Sequence, residues 1–179
     1  MGMTQIILAG FGGQGILFAG KQLAYAGMLT GKEVSWLPSY GPEMRGGTAN
    51  CHVILSDKAI AAPMIQSPDI LIALNLPSLE KFERAVKPGG KIFYDSSLID
   101  RAPENSTAEV FAVPTTTIAA SFGADNLANI VMLGKVLKES EILTMEEIRM
   151  AMEKTISARK QNLLELNMKC LQAGYDYQG

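Results

Sequence analysis

Two glycine-rich stretches hold the residue types best suited to chemistry. The first, Gly10-Phe11-Gly12-Gly13-Gln14-Gly15, follows an apolar run and has the spacing G-x-G-x-x-G. Glycine at such a strand-to-helix turn permits positive φ, lets backbone approach a ligand, and leaves the first helical amides facing an anion. A complete dinucleotide fingerprint also has an acidic side chain about 20 residues on, at the end of the second strand, to bind ribose hydroxyls. Leu37, Pro38, Ser39 and Tyr40 occupy that strand end here, and Glu33 stands at its beginning. Free NAD or FAD is therefore disfavoured. Two readings of Gly12, Gly13 and Gly15 stay open: close packing of strand, helix and a neighbouring subunit, or capture of a phosphate-bearing ligand such as coenzyme A. Gln14 can supply an amide contact in either case.

The second stretch runs Ser39-Tyr40-Gly41-Pro42-Glu43-Met44-Arg45-Gly46-Gly47-Thr48-Ala49-Asn50. Tyr40-Gly41-Pro42 reads as a turn in which proline fixes one φ, and Gly46-Gly47 removes side chains from a stretch that must fit against something. Glu43 and Arg45, two residues apart in an extended segment, point the same way. They form either a local ion pair on a solvated loop or a working pair. In the second case Arg45 makes a planar, multi-donor contact with a carboxylate or phosphate, while Glu43 orients it or meets a partner chain. Asn50 closes the stretch at the start of the next strand. None of these residues is read as catalytic.

The remaining candidates read more plainly. Cys51 and Cys170 are too few and too far apart for a C-x-x-C metal or iron-sulfur motif, and are expected to be ordinary thiols. His52 is the only histidine and is expected to be structural or at the surface. Asp95, at a strand end and followed by Ser96-Ser97, reads as a turn or helix cap more than as a ligand contact. Trp36 and Tyr40 are core or interface anchors, and the 10 methionines fill gaps in a core.

The elements that must position these residues follow from pattern. Residues 4–9 form a short apolar strand, and a helix opens at Gly13 with Ile16, Leu17, Leu23, Ala24 and Met28 on one face. Residues 34–37 return as a strand ended by Pro38. Residues 50–55 make a third strand, joined too tightly for a crossover helix, so the sheet is expected to be mixed. Strands follow at 69–74, 91–94 and 109–113, and Pro77 starts a helix stopped by Pro88-Gly89-Gly90. Residues 126–137 read as a buried helix, and 145–171 as a more charged helical tail with a break near Ser157. The expected fold is α/β, a three-layer α/β/α sandwich on a mixed, mostly parallel sheet.

Composition sets the outer limits. A chain of 179 residues suffices for one domain, expected over residues 1–179, that buries roughly 70% of its unfolded surface. A net charge of −2 with no basic run argues against nucleic acid. The longest apolar runs fall far short of the ~20 residues that span a bilayer, and the N-terminus enters a strand rather than a signal peptide, so a cytoplasmic protein with no membrane contact is expected. The apolar fraction is 47% and mean hydropathy +0.13, which leaves room for a large subunit interface.

Taken together, GFGGQG, the SYGPEMRGGTANCHVILS segment, the Pro77 helix start and the stretch from Pro114 to Gly134 resemble the gamma subunit of 2-oxoacid:ferredoxin oxidoreductases. The Glu43-to-Asn50 wording looks most like 2-oxoglutarate and branched-chain members, whereas Pro114-Thr115-Thr116-Thr117 departs from the Pro-Ala-Thr turn of the group. The resemblance implies the fold of domain III of pyruvate-ferredoxin oxidoreductase. It also implies a supporting role in CoA-dependent oxidative decarboxylation of a 2-oxoacid, 2-oxoglutarate first, with reduction of ferredoxin. Thiamine diphosphate, Mg and iron-sulfur clusters would then sit on partner alpha, beta and delta subunits, with none on this chain and CoA as co-substrate. A stand-alone nucleotide-binding oxidoreductase and a purely structural assembly module are the alternatives.

Overall fold

In a computed structural model the protein is described over residues 2–39 and 48–179. Six strands form one sheet: β1 (Met3–Phe11), β2 (Glu33–Ser39), β3 (Thr48–Ser56), β4 (Ile70–Ala73), β5 (Lys91–Asp95) and β6 (Glu109–Val113), in the order β2-β3-β1-β4-β5-β6. β1, β4, β5 and β6 are parallel neighbours, whereas β3 lies antiparallel between β1 and β2. β1 and β2 therefore point the same way, as expected of a strand-helix-strand unit, but with a strand between them.

Pro38 was expected to stop β2, yet the strand continues through it to Ser39. β2 is an edge strand, where a residue lacking an amide proton costs no ladder bond if its nitrogen faces outward.

The helices are unevenly shared. α1 (Ile16–Leu29), α3 (Thr115–Ser121), α4 (Ala128–Ser140), α5 (Met145–Thr155) and α6 (Gln161–Asp176) contribute to the larger core, with Ile6, Leu8, Cys51, Val53, Phe93 and Val113 of the sheet. The opposite face is covered by α2 (Leu76–Phe82) and irregular chain around Ile60, Ile65 and Ile99, over Ile7, Ile54, Leu71, Ile92 and Tyr94. The sandwich is thus three-layered, with one thin layer. Period-2 alternation explains the split, because neighbouring residues of each strand enter different cores.

Local signals account for the helix ends. Asn75 Oδ1 accepts from the Ser78 amide at the start of α2, which also carries Pro77 in its first turn. Asp95, expected as a cap, accepts from the Ser97 amide (3.0 Å) and the Thr116 hydroxyl (2.5 Å), tying the end of β5 to the start of α3. Thr144 and Glu147 form a reciprocal capping box on α5. The tail breaks as expected, at Ile156 and Ser157, before α6. α3 itself was expected only as a short turn; three consecutive threonines lower helix propensity, and tertiary contacts override it.

α4 and α6 touch backbone to backbone. A Cβ at Gly134 would meet the Leu171 carbonyl oxygen, and one at Gly174 the Val131 carbonyl oxygen. Backbone cannot yield as a flexible side chain does, so Gly174→Ala is expected to cost about 3 kcal/mol, the upper end of ordinary overpacking. Urea denaturation of the variant against the parent protein measures it.

Candidate functional site

The first glycine-rich stretch forms a compact turn at the C-terminal end of β1. Gly13 has φ +92° and Gly15 φ +72°, left-handed conformations that only glycine adopts without strain. Gly15 serves as the N-cap of α1 with no side-chain cap, so the first amides of the helix are left for other partners. The Asn129 amide nitrogen, at the start of α4, donates to the Gly15 carbonyl (2.9 Å) and packs where a Gly15 Cβ would be. Gly12 and Gly13 are exposed, while Gln14 and Gly15 are half-buried.

Gln14 provides an amide contact, and the contact is to the chain itself. Its Oε1 accepts from the Phe11 amide (2.6 Å) and its Nε2 donates to the Leu74 carbonyl (3.0 Å). The side chain therefore bridges the ends of β1 and β4. Those are neighbouring parallel strands from which the chain departs in opposite directions, the crevice where open α/β sheets bind ligands. Both polar ends of Gln14 are spent closing that crevice. The intervening β3 also puts the end of β2 two strands from β1, about 9–10 Å away, so even an acidic residue there would be poorly placed for a ribose. Both features weigh against a dinucleotide.

Beside the turn lies a cavity of about 480 Å³ lined by Gly13, Gly15, Phe18, Asn129, Ser157 and Lys160 among others. An exposed lysine and uncapped helical amides at one opening suit an anionic group. The sequence signal that marks Asn129 is a polar residue at the head of an otherwise apolar helical run, followed by Ile130 and Val131.

Tyr40, Gly41, Pro42, Glu43, Arg45, Gly46 and Gly47 lie outside the described residues. The strands flanking them do not. Thr48 is paired with Phe11, Ala49 with Gly10, and Asn50 with both Ala9 and Ser39. The second stretch therefore leaves and re-enters the sheet at the edge that carries Gly12, Gly13, Gln14 and Gly15. Asn50 is buried on the α2 side of β3, two positions from His52.

His52 is structural, as expected, and specifically so: the Ile65 amide donates to its Nδ1 (2.9 Å), anchoring the irregular chain that covers this face. Burial, and secondarily the charge of Lys81, hold its imidazole below the ordinary 6.5. The two cysteines are free and buried, and burial pushes the Cys51 thiol up to about 12, which leaves it an inert core group. Among the described residues no set of three or more His, Cys, Asp or Glu side chains could hold a metal ion, and no helix is long and apolar enough to cross a membrane.

Comparison with known proteins defines the class to which this fold and edge belong. The sequence pattern of the pyruvate ferredoxin/flavodoxin oxidoreductase family matches residues 5–177, and the chain belongs to that family. It is 38% identical over 175 residues to the VorA subunit of ketoisovalerate oxidoreductase from Methanothermobacter marburgensis, covering 97% of this chain and 36% of that one. The chain thus spans about a third of the length of such relatives. It is 35% identical over 176 residues to the KorC subunit of 2-oxoglutarate synthase from Methanocaldococcus jannaschii, covering 96% of this chain and 92% of that one. The gamma subunit of a keto/oxoacid ferredoxin oxidoreductase from Geobacter sulfurreducens superposes with a TM-score of 0.83 at 31% identity, over 97% of this chain and 96% of that one.

Two outcomes test this description. Gln14→Leu removes the partners of the Phe11 amide and the Leu74 carbonyl together, and is expected to lower unfolding free energy by about 1–3 kcal/mol. Because the folded His52 pKa is depressed, its contribution to stability is complete above about 6.5, where the unfolded imidazole is also neutral. It is lost as pH falls, since the unfolded chain takes up the proton first. His52→Gln should therefore show a shallower loss of melting temperature than the parent protein between pH 7.5 and 5.5.

Proposed function

We propose that the protein acts as the gamma subunit of a 2-oxoacid:ferredoxin oxidoreductase complex, and that the complex converts 2-oxoglutarate and CoA to succinyl-CoA and carbon dioxide with reduction of ferredoxin. The observation that carries the proposal is that the strand ends flanking the second glycine-rich stretch lie at the same end of the sheet as the first, with Thr48 paired to Phe11. Their joint position suits a surface lent to a shared site better than a self-contained one. The near full-length similarity to a 2-oxoglutarate synthase subunit supports the choice of oxoacid. The similarity to a ketoisovalerate oxidoreductase subunit keeps a branched-chain acid as the second reading, and pyruvate is the third.

The chain's own part is binding and positioning. The uncapped amides of α1 beside Gly13 and Gly15, with Lys160 across the cavity, fit a phosphate of CoA. Arg45 would hold a second phosphate or a carboxylate through its planar donors, with Glu43 setting its orientation. Thiamine diphosphate with Mg, and the iron-sulfur clusters, would supply decarboxylation and electron transfer from the alpha, beta and delta partners. In this chain no residue is assigned a covalent step.

An anaerobic pull-down of the tagged chain, with mass spectrometry and an oxoacid- and CoA-dependent dye-reduction assay on the eluate, tests the assembly. Thiamine-binding and iron-sulfur subunits should co-purify with activity highest on 2-oxoglutarate; a chain that elutes alone and inactive overturns the reading. In the assembled complex Arg45→Ala is expected to raise the KM for CoA or oxoacid about tenfold with kcat little changed, the pattern of lost uniform binding. Unchanged constants in a normally assembled complex remove Arg45 from ligand binding.

A further inference from the structure

On the thin side of the sheet, away from the cavity beside Gly15, a second cleft of about 500 Å³ opens between the ends of β2 and β3 and helix α2. Its described polar lining is Ser39, Asn50, His52 and Lys81, and its apolar walls include Leu37, Met64 and Phe82. Three features make it more than a surface groove.

The first is the state of His52. Its Nδ1 accepts from the Ile65 amide, so the neutral ring carries its proton on Nε2, and no group among the described residues accepts from that N–H. The imidazole is about nine-tenths buried, so this donor is held in place and does not range through solvent. The second is Lys81. It is exposed, lies 5.3 Å from the Phe82 ring centroid, and has no acidic partner among the described residues, while its charge is felt at His52. The third is the wall chemistry. Met64 is 62% exposed at the rim, and none of the described lining residues is acidic.

We infer that this cleft binds a small organic carboxylate with an aliphatic body, its oxygens meeting the His52 Nε2–H and the Lys81 ammonium, its carbon chain lying on Leu37, Met64 and Phe82. One cation and one neutral donor match the single charge of a carboxylate; a phosphate dianion calls for more positive charge than the described lining residues carry. The volume falls in the lower part of the ~300–1,000 Å³ range of small-molecule sites. The cleft lies across the sheet from the cavity beside Gly15, although Ser39 and Asn50, the two ends of the second glycine-rich stretch, belong to its lining.

The single histidine makes the test direct. The full chain, labelled with 15N-histidine, is titrated at pH 8 with isovalerate, and in parallel with acetate, inorganic phosphate and the neutral isovaleramide, following the one imidazole signal set. The expected result is a saturable shift with isovalerate, at least tenfold weaker binding of acetate and of isovaleramide, and at least tenfold weaker binding of isovalerate to Lys81→Met. Lys81 is exposed, so that variant keeps its fold, which the unchanged amide spectrum verifies. Absence of a saturable shift overturns the inference, as do equal binding of the neutral amide, phosphate binding as tight as isovalerate, or an unaltered affinity in Lys81→Met. Repeating the titration on the assembled complex separates a free ligand from a partner's acidic side chain. Retained isovalerate binding supports the former, and loss of it with the imidazole already shifted shows that a partner fills the cleft, overturning the small-molecule reading.

Discussion

The insertion of β3 between β1 and β2 is the constraint on which the other features depend. β3 pairs with β1 over nine residues and with β2 over seven, antiparallel to both. A strand so placed must begin where its neighbours end. It follows that the chain leaves β2 and re-enters at β3 beside the turn after β1. In a purely parallel sheet of the same strands, the second stretch would have needed a crossover of a dozen or more residues, and would have entered the sheet at the opposite edge.

The same insertion explains why a dinucleotide-like loop need not bind a dinucleotide. Gly13 and Gly15 retain the conformations of such a turn, because strand-to-helix geometry demands them. What fills the crevice is Gln14, which satisfies backbone groups on two strands at once. A motif defined by glycine spacing reports backbone shape; the side chain between the glycines decides whether that shape is open. Asn129 holds the other flank by donating to the Gly15 carbonyl, which leaves the first amides of α1 uncapped.

Much of this was legible in the sequence. Proline marked the start of α2 and the end of β6, and continuous apolar runs marked buried strands, because those signals are local; α2 itself ends at Phe82, short of the expected stop at Pro88-Gly89-Gly90. The mixed sheet followed from a connection too short for a crossover. Strand order was not legible: nothing local in residues 48–56 distinguishes a strand beside β2 alone from one clasped by β1 as well. The partners of Gln14 were hidden for the same reason, since Leu74 lies 60 residues away. The close approach of α4 to α6 was half visible, as Gly134 on an apolar helical face whose neighbour could not be named. α3 was missed because three threonines argue against helix, and it is Asp95 and Ser97, from the end of β5 and just beyond it, that supply hydrogen bonds offsetting their reluctance.

Pro38 has a bearing on how this protein meets others. In an antiparallel ladder the pair containing proline must be one that exchanges no bonds, so the ring nitrogen of Pro38, opposite Cys51, is turned to the outer side of β2. A further strand laid along that edge would find no donor there, near the end of the sheet that carries the turn after β1. The edge is thereby protected from fusing with another sheet, whether in a copy of itself or in a misfolded neighbour. Recognition at this end of the molecule must be carried by side chains and loops, which are reversible and specific in a way that a continuous ladder of backbone bonds is not.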